Sequence, residues 1–146
     1  MAEASVAPAS RTPIWFYVVA VLAVVFNLGG LFSYVSLQLG GPPAGMTPEQ
    51  TAYFESFPAW YDALYALTVH ASVAAALLLV FRRRIAGPVF AAALGLYLIS
   101  SIWHFGVRDA FAILGAGNLA FSAVIGAQLA ALWWFSRFSE RRGWLK

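Results

Sequence analysis

Four long apolar stretches, separated by short polar segments, fill most of this 146-residue chain. Hydrophobic residues make up 62% of it and charged residues only 10%, whereas about a quarter of the residues of soluble domains are charged. A chain this short cannot bury so much apolar surface in a water-soluble core, so lipid must cover most of it. The pattern predicts an all-α membrane protein, a bundle of four transmembrane helices.

Gly, Pro and Arg residues set the expected boundaries of the spans. We expect spans over residues 14–39, 59–81, 85–106 and 114–135, within one transmembrane domain of residues 14–136. Residues 1–13 are rich in Ala, Ser and Pro, which predicts a disordered tail, and residues 137–146 predict a basic tail. The first span is too long for a signal peptide and no cleavage site follows it, so we expect an uncleaved helix.

The loop after the first span breaks the apolar pattern and carries a helix-start signal. Thr47 can cap a helix, Pro48 suits the first helical position, and Gln50 stands where a capping box needs an amide. The apolar side of such a helix would consist of Met46, Tyr53, Phe54 and Phe57. This pattern predicts a short helix that lies in the interface of the first external loop, with its apolar side toward the membrane.

Basic residues are sorted to one side of the four spans. Eight of the nine lie in the segments that share a side with both termini, namely Arg11, Arg82, Arg83, Arg84, Arg137, Arg141, Arg142 and Lys146. The positive-inside rule then places both termini in the cytoplasm. We therefore expect a multi-pass protein of the bacterial inner membrane.

The positions of the charges and the absence of motifs exclude several functions. The net charge is +3, but the basic residues flank apolar stretches, so they are interpreted as topology signals and lipid contacts rather than a nucleic-acid surface. The chain has no cysteine, which excludes disulfides and thiolate metal sites. No nucleophile–base pair or metal-ligand set is apparent, so we expect no enzyme activity, metal or cofactor.

Each predicted span carries one stripe of polar residues at helical spacing, mostly in its outer half. The stripes consist of Asn27, Tyr34 and Gln38; Tyr61, Tyr65, Thr68 and Ser72; Tyr97, Ser101, His104 and Arg108; and Asn118 and Ser122. The inner half is almost purely apolar.

Two functions are compatible with these stripes. If they face inward, they line an outward-facing vestibule that binds or helps to transport a small neutral solute, and its candidate ligand-binding residues are Asn27, Tyr34, Tyr65, Thr68, Ser101 and His104. Alternatively, the stripes only hold helices together. The protein is then a non-transporting accessory or assembly subunit of a membrane complex.

The two histidines and one aspartate need partners inside a membrane. His70 is expected to bond a neighbouring helix, through Asn27 or Gln128, and Asp62 either pairs with His104 or Arg108 or is solvated at the interface. A shared haem is unfavourable because the two histidines would differ in depth by roughly 13 Å.

Small residues repeat along the fourth span, as Ser122-Gly126-Ala130 and as Ala123-Ala127-Ala131. Such ladders let helices approach closely. One ladder could serve the bundle and the other a second subunit, so a homo-oligomer or a partner membrane helix is a hypothesis.

Several short motifs carry a resemblance to a known family. They are Phe26-Asn27-Leu28-Gly29-Gly30, Met46-Thr47-Pro48-Glu49, Pro58-Ala59-Trp60, Arg82-Arg83-Arg84 with Ala86, and Gly143-Trp144-Leu145. In this order they resemble a family of small bacterial four-helix inner-membrane proteins of unknown function, sometimes labelled sugar-transporter-like. The resemblance implies a solute carrier without a mechanism. The inner half offers no polar path, which argues against transport by one subunit.

Overall fold

The chain is described by a computed structural model over residues 11–146, and in that range it is helical without any β-strand. The helices are α1 (Ile14–Gly40), α2 (Pro48–Glu55), α3 (Ala59–Val80), α4 (Ala86–Ser101) and α5 (Ala110–Arg141), and α4 continues into a π-helix (Ile102–Val107). The expected all-α fold with four spans and a short helix in the first loop is confirmed. Most of the predicted disordered tail lies outside the described residues.

Four helices are long and apolar enough to cross a bilayer. α1, α3, α4 with its π-helix, and α5 have 27, 22, 22 and 32 residues, so even the shortest extends about 33 Å against a hydrocarbon core of about 30 Å. Large apolar side chains such as Leu22, Phe32, Ile99 and Phe121 point outward. Exposing such an apolar surface to water is unfavourable, so the chain is an integral membrane protein in contact with lipid.

The long helices are arranged in the order α1, α3, α4, α5, with α3 between α1 and α4 and with α5 against α4. α1 and α5 meet at one end, where the rings of Phe16 and Phe135 stack at 5.6 Å. We call this the basic end, since it holds Arg11, the α3–α4 loop and residues 137–146. The opposite end, formed by α2, the π-helix and the start of α5, is called the aromatic end.

The buried apolar core lies in the half of the bundle next to the basic end. Small residues of three helices let large side chains interlock there; the core comprises Phe16, Ala20, Ala23, Ala75, Ala76, Leu79, Ala86, Phe90, Ala93, Leu129, Leu132, Phe135, Trp144 and Leu145. The other half contains the buried polar residues Asn27, Thr68 and Ser72. Buried polar residues are not confined to that half, because Ser136 and Ser139 are fully buried next to the basic end.

α5 differs most from its expected bounds, while the other spans end within one residue of theirs. It begins before Leu114 and is interrupted at Gly115, whose φ of 78° and ψ of 179° are not helical. It also continues to Arg141 rather than Phe135, because Ser136 and Ser139 are fully buried and this face packs instead of leaving the bundle.

Residues 137–146, which were predicted as a basic tail, include the end of α5 and a segment that packs against the bundle. Gly143, with φ 72°, ends α5 with two backbone bonds, from its own N–H to the Glu140 carbonyl (2.9 Å) and from Trp144 N–H to the Ser139 carbonyl (3.0 Å). This Schellman ending turns the chain back. Leu145 is then only 1% exposed, and the Lys146 N–H donates to the Arg82 carbonyl at 2.6 Å.

Candidate functional site

The π-helix at the end of α4 places its side chains differently from an α-helix. The Arg108 N–H donates to the Trp103 carbonyl at 3.0 Å, five residues back. Such π-helical turns are rare in proteins, and many of those that occur lie at functional sites. This turn directs His104 toward α2 and α5, where His104, Tyr53, Tyr61, Asn118 and Arg108 come together; we call these five residues the His104 cluster.

Both ring nitrogens of His104 have partners. Nδ1 lies 3.1 Å from the Tyr53 hydroxyl and 3.5 Å from the Tyr61 hydroxyl, and Nε2 lies 3.3 Å from Asn118 Oδ1. Because an amide oxygen can only accept, the bonding pattern assigns the proton to Nε2 and leaves Nδ1 to accept from tyrosine. A neutral imidazole therefore satisfies this site without a further ligand.

Arg108 is held by aromatic faces rather than by a carboxylate. Its guanidinium carbon lies 5.1 Å from the Tyr53 ring centroid and 5.4 Å from that of Trp103, within the range of cation–π attraction. It also donates to the Ser56 hydroxyl, and that hydroxyl donates to the Tyr53 carbonyl at 2.7 Å. Burial raises the pKa of Tyr53, while Arg108 acts in the opposite direction. Tyr53 thus keeps its proton at neutral pH and remains a donor to His104.

Gln50 fastens the other end of α2. Its side-chain oxygen accepts from the Thr47 N–H at 3.1 Å, and the Thr47 hydroxyl accepts from the Gln50 N–H at 3.2 Å. The predicted capping box is therefore confirmed. The Gln50 amide also donates to the Ile113 carbonyl at 3.2 Å, just before the interruption of α5 at Gly115. One side chain thus both starts α2 and ties it to α5.

Aromatic rings fill the space beside the His104 cluster. Tyr61 lies 4.5 Å from Trp103 and 4.8 Å from Phe57, and Trp60 lies 5.0 Å from Trp103, all between ring centroids. Rings at these separations attract one another beyond their buried area. α2 and this ring layer together close the aromatic end over the bundle.

The six predicted ligand-binding residues have different contacts in the fold. Two of them bond backbone oxygens of their own helix: Asn27 Nδ2 donates to the Ala23 carbonyl at 2.7 Å, and Thr68 Oγ1 to the Leu64 carbonyl at 2.8 Å. Both side chains are buried. Each of these side chains thus has a hydrogen-bond partner within its own helix, which it needs because lipid offers none.

The other four are found in three places. Tyr34 and Tyr65 pack edge to face across α1 and α3 with ring centroids 5.2 Å apart, while His104 belongs to the His104 cluster. Ser101 is the last residue of α4 and is partly exposed. Ligand binding by these six residues stays a prediction.

Two surface cavities lie at opposite ends of the molecule, and none of the six residues lines either of them. The cavity at the aromatic end measures about 220 Å³ and is lined by Leu37, Gln38, Pro42, Phe54, Glu55, Phe57 and Asp62. The cavity at the basic end measures about 410 Å³ and is lined by Arg11, Pro13, Trp15, Phe138, Arg142 and Trp144.

In the described part of the chain, His70 does not bond Asn27 or Gln128, the partners expected for it, and of the two alternatives for Asp62 the ion pair is not formed. His70 Nδ1 lies 2.7 Å from the Ala66 carbonyl of its own helix, and its exposed ring stands 6.2 Å from that of Tyr34. Among residues 11–146, Asp62 forms no ion pair with His104 or Arg108. Asp62 borders the cavity at the aromatic end, which is compatible with the other alternative, a carboxylate solvated at the interface.

Sequence reasoning missed the role of Tyr53, which was grouped with the membrane-facing side of the short helix. It is 4% exposed and bonds His104. Its hydroxyl is the one polar group on an otherwise apolar side, a signal that could have predicted a buried partner. Comparisons with protein-family models, with curated proteins and with solved structures find no match to this chain.

Proposed function

We propose that this protein is a non-enzymatic accessory or assembly subunit of a membrane complex. One observation carries the proposal: many of the polar side chains of the bundle find their hydrogen-bond partners within the bundle. Thr68 and Ser72 donate to carbonyls of α3, the Tyr97 hydroxyl donates to the Ser122 carbonyl, and His104 meets Asn118. The bonds of Tyr97 and His104 join different helices and stabilise them against one another, while those of Thr68 and Ser72 satisfy these hydroxyls within α3. None of these four groups needs a solute as a partner.

The two small-residue ladders of α5 support the proposal further. Gly126 faces α4 so closely that a Cβ there would lie 2.9 Å from Tyr97 Cε1, so this ladder is used inside the bundle. Ala123, Ala127 and Ala131 are all exposed. Their face suits the close approach of a transmembrane helix from another chain.

The experiment replaces two alanines of the exposed ladder with the larger leucine. We expect A123L/A127L to leave the bundle folded and to reduce the apparent mass of the complex extracted from native membranes in mild detergent, because leucines keep a partner helix at a distance. The matched control A92L makes the same change at an exposed position of α4 and should leave the mass unchanged. If crosslinking of the wild-type protein in intact membranes gives only the mass of one chain, the proposal is contradicted.

A second candidate function is binding or transport of a small neutral solute. It is favoured by the cavity at the aromatic end, where Gln38 continues the stripe of Asn27 and Tyr34 and meets Glu55 and Asp62. An amide and two carboxylates accept hydrogen bonds from hydroxyl groups. Its volume of about 220 Å³ suits only a small molecule.

The two candidates predict opposite results for one pair of substitutions. Q38A/D62N removes an amide and a carboxylate from the lining of the cavity at the aromatic end. Uptake of radiolabelled neutral sugars into proteoliposomes that is lost in this variant supports the solute carrier, whereas wild-type proteoliposomes that take up no sugar, or a variant that takes up as much as wild type, support the accessory subunit. The resemblance to sugar-transporter-like proteins favours the solute carrier, and this resemblance stays a prediction.

We further propose that the protein lies in a bacterial inner membrane with both termini in the cytoplasm. The support is the positive-inside rule applied to the basic end. A fluorescent protein fused after Lys146 should fluoresce, and alkaline phosphatase fused there should be inactive. An active phosphatase fusion would reverse this orientation.

A further inference from the structure

A histidine faces outward at the middle of α3. His70 is the twelfth of the 22 residues of this helix, so about 15 Å of helix lie on either side of it. The imidazole is exposed, and so are Leu67 and Ala74 on the same face of the helix. Because the hydrocarbon core of a bilayer is about 30 Å thick, this position brings the imidazole to the lipid near the midplane.

The hydrogen bond of His70 decides which ring nitrogen carries the proton. Nδ1 lies 2.7 Å from the Ala66 carbonyl of the same helix. A carbonyl oxygen can only accept, so the bonding pattern assigns the proton to Nδ1 and leaves a lone pair on Nε2. Within residues 11–146 Nε2 has no hydrogen-bond partner, and the Tyr34 ring meets the imidazole only edge to face, with centroids 6.2 Å apart. An exposed ring therefore retains one unused acceptor.

The lipid cannot satisfy this acceptor. Acyl chains carry no hydrogen-bond donor and water is scarce at this depth, while protonation of the ring would place a charge at the centre of the bilayer. By contrast, the hydroxyls of Thr68 and Ser72 on the same helix are buried and bond backbone carbonyls. His70 Nε2 thus needs a donor from outside this chain.

The surface around His70 suits the approach of another helix. We define the His70 face as Ala63, Leu67, His70, Ala74 and Leu77, which follow one side of α3 at helical spacing and are all exposed. Two of its members are alanines, and small side chains let helix backbones approach closely. The four residues beside the histidine have no side-chain donor. A second copy packed on the same face would therefore bring no donor to Nε2.

We propose that the His70 face binds a transmembrane helix of another protein, and that a hydroxyl, amide or indole group of that helix donates a hydrogen bond to His70 Nε2. The partner helix is apolar except for this donor near the midplane, because the rest of the His70 face is apolar. This contact rests on the proposed accessory function, since it adds a second contact with the complex to the exposed alanine ladder of α5.

The test is site-specific photocrosslinking of the full-length protein in its native membranes. Benzoylphenylalanine is placed at Leu67 to probe the His70 face, or at Val124 to probe the exposed side of α5, since both side chains are exposed. We expect each position to give a crosslinked product with another protein. Mass spectrometry of the Leu67 product should locate the crosslink in a transmembrane segment that has a donor side chain near its middle.

The variant H70L removes the acceptor and retains an exposed side chain of similar size. It should reduce the Leu67 product about threefold or more, as expected for the loss of one hydrogen bond between membrane helices. The Val124 product should be unchanged, which also shows that the variant is folded and inserted. The matched control H70Q again provides a side-chain acceptor and should recover most of the Leu67 product.

The two crosslinking positions separate failure of this contact from failure of the accessory function. If Val124 gives a protein product and Leu67 gives only lipid, or only a second copy of this chain, the His70 contact is overturned and the accessory function stands. Equal Leu67 products in wild type and H70L would also overturn it, because His70 would then not be the acceptor. If neither position gives a protein product, both proposals fail.

Discussion

Near the basic end, the helices pack through alanines and large apolar side chains, and the chain returns to fill the last gap with Trp144 and Leu145. Near the aromatic end, the same helices are joined by hydrogen bonds, ring contacts and a separate short helix. The first half gains dispersion contacts from close packing, which remain available in lipid. The second half depends on polar groups finding partners where no water can supply them. The two halves of the bundle are therefore held together by different interactions, one by apolar packing and the other by hydrogen bonds and ring contacts.

The largest effect is expected where the returning chain fills the core. L145A removes a side chain that is 1% exposed and leaves a cavity, so we expect a loss of about 2–5 kcal/mol in the free energy of unfolding. Titration with a denaturing detergent in mixed micelles measures it. L39A, at a side chain that is 85% exposed, is the control and should cost far less. Equal losses would mean that residues 144–146 do not pack as described.

The next largest effect is expected at His104. H104A leaves Tyr53 and Asn118 without their partner, so we expect a loss of about 2–3 kcal/mol. The matched control is H70A, since that ring is exposed and bonds only its own helix. Detergent-unfolding titrations of both variants make the comparison. If the two histidines matter equally, polar bonding does not hold the aromatic half together.

A smaller effect is expected where the two halves meet, at Gly126. A methyl group in G126A would come within 2.9 Å of Tyr97 Cε1, and Tyr97 cannot easily move because its hydroxyl bonds Ser122. We expect a loss of about 1–3 kcal/mol. G117A meets no atom within 4 Å and should be neutral or slightly stabilising. A stabilising G126A would show that this contact is loose.

The smallest effect is expected at the start of α2. T47A removes the hydroxyl that accepts from the Gln50 N–H, for about 1 kcal/mol. T47S keeps that bond and serves as the control. Because α2 covers the aromatic end, amide hydrogen exchange of residues 48–55 should rise in T47A and not in T47S. Unchanged exchange in T47A would mean that Gln50 and Tyr53 hold α2 without its cap.

The fold could be read from the sequence because a lipid solvent imposes strict rules. Span length, backbone self-bonding and charge asymmetry predicted the four helices, and the Thr47–Gln50 pattern predicted α2 by a local rule. The end of α5 could not be predicted, because Ser136 and Ser139 are buried by a chain reversal that depends on Gly143 and the α3–α4 loop. Local composition favoured a free tail there.

The candidate site was only partly accessible to sequence reasoning. Helical spacing placed Thr68 and Asn27 on polar stripes, yet it could not say that each bonds its own backbone. His104 was placed on the polar stripe of α4, but the π-helix changes its direction, and α2 supplies Tyr53 from far along the chain. Spacing rules assume regular α-helices, so they fail where a helix widens.

By itself, the sequence determined that this chain forms four helices in a bilayer with one strongly basic end. Hydrophobic composition and the positions of the charges are sufficient for this, because they act through the surrounding solvent and not through contacts between particular residues. Only the tertiary structure decided which polar groups satisfy one another, that α2 closes one end, and that residues 144–146 close the other. Those outcomes depend on distances between segments remote in the chain, and hydrogen bonds and close packing act only across a few ångströms.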